Sequence, residues 1–115
     1  MNRFEKRNTV REIEILGNTY QVDFGRDETP LIFQEVAKKT NAVATSGNDS
    51  AAILSEQKNI FKKAICDIIG DAYASEQIFK DDNTVVLHSD VYTFLVNQYT
   101  EVMTEESPYS PKRIK

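Results

Sequence analysis

Residues 50–70 read SAAILSEQKNIFKKAICDIIG, and the parsing of that stretch decides the fold. Ile53, Leu54, Ile60, Phe61, Ala64, Ile65, Ile68 and Ile69 recur at helical spacing, which gathers them into one wide apolar stripe. Gly70 follows where helices commonly end in a left-handed residue, a conformation that glycine adopts without penalty. The spacing therefore predicts a helix from Ser50 or Ala51 to Ile69, and the width of its stripe makes it the core helix.

Beyond it, Ala72 to Phe79 reads as a short helix that stops at the polar turn Lys80-Asp81-Asp82-Asn83. Thr84 to Leu87 is too short for periodicity to separate a strand from the lead-in to a helix. A last helix is expected over about 90–105, capped by Ser89 or His88, with Val91, Phe94, Leu95, Tyr99 and Val102 on one stripe. Ser107-Pro108 ends it, because the residue before a proline is pushed out of helical geometry. On the N-terminal side, Thr45 to Ser50 (TSGNDS) is a loop. Before it, Thr29 as cap and Pro30 at the first helical position open a helix over about 30–43. Leu31, Ile32 and Val36 form its apolar set, flanked by Phe33 and Ala37, and Lys38 and Lys39 suit its C-terminal dipole.

Residues 11–24 alternate apolar and polar on both sides of Gly17-Asn18 and read as a hairpin. Glycine first in a two-residue loop predicts a type II′ turn, which sets Ile15 opposite Tyr20, Ile13 opposite Val22 and Glu12 opposite Asp23. A two-stranded hairpin is marginal in water, so its apolar face must lie on helices or its edges must pair with another chain. The expected architecture is α+β and mainly helical, an N-terminal β-hairpin followed by three to four helices. One domain over 12–106 is flanked by a basic N-terminal tail, 1–11, and a flexible basic C-terminal tail, 107–115.

The chain has 115 residues, with 14 Lys+Arg against 18 Asp+Glu and 40% hydrophobic residues, a length and balance that suit one globular domain. No run of apolar residues approaches a membrane span, and the basic N-terminus has no apolar segment behind it for a secretory signal. With a single cysteine, Cys66, a cytoplasmic location is expected. Charge is unevenly placed. Arg3, Lys6, Arg7 and Arg11 stand against Glu5 in the first eleven residues, Lys112, Arg113 and Lys115 close the chain, and between 64 and 111 Lys80 is the lone base among acids. An acidic body repels phosphate backbones, so nucleic acid is not an expected partner.

No constellation in the sequence points to catalysis, a metal or a cofactor. One histidine (His88) and one cysteine (Cys66) are too few for a zinc site, and Cys66 falls within the core helix, where a thiol serves as a small hydrophobe. Asp67 and Asp71 would share a helix face only if the helix ran through Gly70. The Asp81-Asp82-Asn83 cluster lacks the rest of a calcium loop. Asp71 to Gln77, placed as the second helix of a helix-turn-helix would be, carries no Arg or Lys for bases. What remains is a protein that works by contact, through apolar residues abundant for so short a chain.

The hairpin EIEILGNTYQVDF, the stretch KAICDIIGDAYASEQIFK (63–80) and the final DVYTFLVNQYTEVMTEE together resemble the tail assembly chaperones of long-tailed phages and prophages of Gram-positive bacteria. The shared pattern is a helix ending in two aliphatic residues and glycine (Ile68, Ile69, Gly70), a short acidic and small-residue turn (Asp71, Ala72), and a helix closing on Ile78-Phe79. The resemblance spans roughly residues 12–106. It implies a non-enzymatic cytoplasmic protein, absent from the mature virion, that shields the tape measure protein during tail morphogenesis. It further implies self-association, and recruitment of the tail tube protein by a longer, frameshifted form. On that footing the partner surface is expected to include Phe94, Tyr99 and Met103 of the last helix, or the hairpin edge at Tyr20. The rival expectation, from the acidic 64–111 segment, is a regulatory module that blocks a host or phage protein by charge mimicry.

Overall fold

The computed structural model describes residues 3–105. Two strands, β1 (Val10–Ile15) and β2 (Asn18–Asp23), pair antiparallel, and four helices follow: α1 (Glu28–Ala44), α2 (Ser50–Ile69), α3 (Ala74–Ile78) and α4 (Val85–Thr104). The protein is thus α+β and mainly helical, with the hairpin first. The segment read as a C-terminal tail lies outside the described residues.

The hairpin departs from the expected register by two residues. Ile13 faces Tyr20, Ile15 faces Asn18 and Arg11 faces Val22, so the turn is Leu16-Gly17, with φ of 50° and 83°. Positive φ at both central residues is the type I′ pattern, whose twist matches the strands. A shift of two leaves strand parity intact, so Ile13, Ile15, Tyr20 and Val22 bury on the same face in either register. The difference lies on the wet face. The expected register sets the Glu12 and Asp23 carboxylates opposite each other, a destabilising pair. The observed one sets Glu12 opposite Gln21 and leaves Asp23 to accept from Thr9 Oγ1 at 2.6 Å and from the Gly25 N–H at 2.9 Å. Gly25 is tightly placed, since a Cβ there would come within 2.4 Å of the Thr9 hydroxyl.

The first strand begins at Val10, inside the segment read as tail, and that segment is anchored. The Thr9 carbonyl accepts from the Phe24 N–H, and the Arg7 guanidinium donates to the Val102 and Glu105 carbonyls at the end of α4. Arg11 pairs with the Glu105 carboxylate. A parallel device closes α2, where Arg26 donates to the Asp67 and Ile68 carbonyls. Neither helix has a basic residue in its own last turn. Arginines from elsewhere in the chain supply the positive charge that a helix C-terminus favours.

The helix starts also differ in part from expectation. Asp49 caps α2 through a bond from the Ala52 N–H, and Gly70 closes it at φ 82°. The first helix starts two residues early, which puts Thr29 inside its first turn, buried, with its hydroxyl unpartnered. Pro30 still lies in that turn, where its missing N–H has no intrahelical partner to lose. The last helix starts at Val85. Its cap is Thr84, whose hydroxyl accepts from the Leu87 N–H, and neither His88 nor Ser89 caps it.

The core gathers Ile13, Ile15, Tyr20, Val22 and Phe24 of the hairpin region onto Ile65, Ile68 and Ile69 of α2. Ala74, Ile78 and Phe79 close it on one side, and Val91, Leu95 and Val102 of α4 on another. The hairpin therefore lies on the helices. From residue 37 to residue 63, by contrast, Val43 is the only buried side chain. The second half of α1 and the first half of α2 form a two-helix arm that projects from the body.

Candidate functional site

On α1 and α2, Leu31 and Leu54 meet solvent for two separate geometric reasons. On α1 the buried line runs through Thr29, Val36 and Val43. At 3.6 residues per turn, Leu31 points about 140° away from Val36. It is 60% exposed, although it was expected in the core set. On α2 the reason is length. Leu54 lies on the same face as Phe61 and Ile65, but α4 begins only opposite the middle of α2, where Phe61 meets Tyr92 and Lys58 donates to the Asn83 carbonyl. The apolar stripe of α2 outruns the helix that covers it, and Leu54 is left 44% exposed.

Beside that overhang, α1, α2 and the first half of α4 enclose an open groove of about 610 Å³. Its floor is aromatic: the Phe33 ring meets Tyr92 edge-on at 6.1 Å between centroids, and Phe61 meets Tyr92 at 5.4 Å. Edge-to-face packing of this kind favours a fixed floor. Burial pushes the Tyr92 hydroxyl above its ordinary pKa, so it stays protonated across the neutral range. Ala37, Thr40 and Gln57 line the arm side, and Val86, 65% exposed, stands on the rim contributed by α4.

A second groove, about 670 Å³, runs on the other side of α1 along α2, past Leu31, Ile32, Ile60 and Cys66. Its rims carry charges already paired within each helix, Glu35 with Lys39 at 3.3 Å and Lys63 with Asp67 at 2.8 Å. The Asp67 carboxylate holds the Lys63 ammonium above its ordinary pKa.

The residues expected to form the partner surface are divided among other duties. Tyr20 lies in the core at 8% exposure, and its hydroxyl donates to Gln77 Oε1 at 2.7 Å, so it is not on an accessible edge. Its pKa is raised, first by burial and then by Asp71 and Cys66. Phe94, Tyr99 and Met103 are partly buried against the core, and Tyr99 packs edge-on against Phe33 at 5.0 Å. The one large apolar side chain of α4 that is mostly exposed is Val86, in its first turn. The signal was present in the sequence as the apolar run Thr84 to Leu87, which could not be placed on a helix face until the cap was known.

The candidate chemical groups are scattered. The Cys66 thiol meets Ser75 Oγ at 3.0 Å, while His88 lies against Phe79. Asp71 turns back to accept from the Tyr73 N–H at 2.8 Å, and Asp67 is paired with Lys63. Among the described residues no three of His, Cys, Asp and Glu converge as a metal site would require, and no helix is long and apolar enough to cross a membrane. No family model, curated protein or solved structure matches the chain.

Proposed function

We propose that the protein is a non-enzymatic tail assembly chaperone, which holds an amphipathic helix of the tape measure protein in the aromatic groove during phage tail morphogenesis. One observation carries the groove assignment: α1, α2 and α4 leave an open groove with Phe33, Phe61 and Tyr92 on its floor and Val86 exposed on its rim, so an amphipathic helix laid in it would cover Val86 and seat apolar residues on those rings. Helix-in-groove recognition uses this kind of surface, with anchors every three or four residues. The chaperone identity rests on the pattern of Ile68-Ile69-Gly70, Asp71-Ala72 and Ile78-Phe79 within the hairpin-then-helices order. Self-association, a longer form that recruits the tube protein, and residence in the host cytoplasm outside the finished virion belong to the same proposal.

The test is co-expression with the large helical protein encoded nearest to it, followed by affinity capture at high salt. Capture of a partner that stays soluble only in this protein's presence is the expected result. Val86→Asp should abolish capture without lowering the melting temperature, because a carboxylate in a first helical turn is electrostatically favourable. Leu31→Asp, on the other side of α1, should leave capture intact. Capture that disappears steeply with added salt would instead favour an acidic module acting by charge mimicry.

A further inference from the structure

The single histidine occupies an unusual position. His88 is fully buried in the first turns of α4, and its Nδ1 lies 2.6 Å from the Thr84 carbonyl oxygen. A carbonyl only accepts, so Nδ1 carries the proton. Nε2 is then a bare acceptor, buried and without a partner. The imidazole is stacked flat on Phe79, with centroids 3.6 Å apart and planes 7° from parallel. The stack alone would tolerate a charged ring, since an aromatic face attracts a cation, but burial and the partnerless Nε2 favour the neutral one. A proton on Nε2 would create a buried donor with nothing to receive it, near the positive end of the α4 dipole.

The charges around the ring are few. Lys58 and Lys62 act on it from α2, and Asp82 acts on it from the turn between α3 and α4. Just past α3 it meets the uncharged Phe79 ring, and the Thr84 carbonyl belongs to the cap of its own helix. Burial is the largest influence, the two lysines add to it, and Asp82 and the carbonyl oppose it, with the His88 pKa lowered as the outcome.

We propose that His88 is an acid-sensitive latch: its protonation parts the ring from Phe79 and releases residues 80–88, the turn and first helical residues of α4, from the body. The segment that yields is set by what else is fastened. Ser75 donates to the Lys62 carbonyl at 2.8 Å and touches Cys66, and Ile78 is in the core, so α3 stays on α2. Residues 80–88 are tied by Lys58 to the Asn83 carbonyl at 3.3 Å, by Leu87, partly buried against the core, and by the stack itself, and none of residues 80–87 is buried.

The sign is fixed by linkage. The released segment has an ordinary histidine and the closed one a lowered pKa, so closure is at full strength above about pH 6.5. It weakens by up to about tenfold per pH unit below that, until the lower closed-state pKa is passed. The experiment is an NMR titration of the His88 ring from pH 8 to 4.5 on the whole chain, with amide exchange measured in parallel and corrected for intrinsic rates. The ring should titrate below 6.5, and the Leu87 and His88 amides should lose protection over that window while the β1–β2 amides keep theirs. In His88→Phe, which retains a stack and cannot titrate, protection at residue 87 should be flat with pH. A ring midpoint near 6.5, equal loss in the strands, or an undiminished pH response in His88→Phe would overturn the latch. If that variant fails to fold, the wild-type comparison between residue 87 and the strands decides.

Discussion

The two halves of α2 differ in apolar content and in fate. Its C-terminal half places Ala64, Ile65, Ile68 and Ile69 among hairpin and α4 side chains, all buried. Its N-terminal half carries Ile53 and Leu54, and neither is buried. What separates them is the number of neighbours. The inner half is covered by β2, α3 and α4, whereas the outer half has α1 along one side and solvent on the rest. An amphipathic stripe specifies which way a helix faces, and the lengths of the surrounding elements determine how far along it burial extends.

The comparison can be broken by cutting each region at its best-packed residue. Phe24→Ala, in the body and fully buried, should lower unfolding stability by about 3–5 kcal/mol in a urea titration. A loss nearer to that of a surface change would mean that the body is not the main source of stability. Val43→Ala, at the one buried position of the arm, should remove about 1–2 kcal/mol of contact. Much of that loss should appear as faster amide exchange within residues 37–60 and little as a shift in the global midpoint, because weakly packed segments open separately. Asp49→Ala removes the cap at the arm's tip, at a cost of about 1 kcal/mol confined to the same amides. If it shifts the global midpoint fully, arm and body unfold as one unit. The smallest effect expected is a gain: Leu16→Asn, at a turn position with φ of 50°, should raise the stability of the body by up to about 1 kcal/mol.

Much of the fold is legible in the sequence, and the failures have identifiable causes. Helical periodicity and Gly70 suffice to bound α2, since both signals are local. The hairpin is also local, but its register is not, because both registers bury the same side chains and the choice falls to the Glu12–Asp23 repulsion and to Leu16 accepting positive φ. The start of α4 is missed because Thr84 looks like part of an apolar run until its hydroxyl is seen to accept from Leu87. The arginines that close α2 and α4 are separated from their carbonyls by 41 residues for Arg26 and Asp67, and 95 for Arg7 and Val102. No local pattern reports a contact of that reach. At the candidate surface, Leu31 could have been set aside by its angle on the helix. Leu54 and Val86 could not, since the exposure of Leu54 depends on where α4 begins and the face taken by Val86 depends on the cap at Thr84.

Because α2 passes unbroken from body to arm, it is a mechanical lever as well as a packing element. Twenty residues of helix measure about 30 Å, so a tilt of roughly 10° at the root sweeps the tip through about 5 Å. Anything that grips the arm near Leu54 therefore applies torque at Ile65 and Ile68, where α2 meets the strands, and a load at the tip is transmitted to the centre of the body.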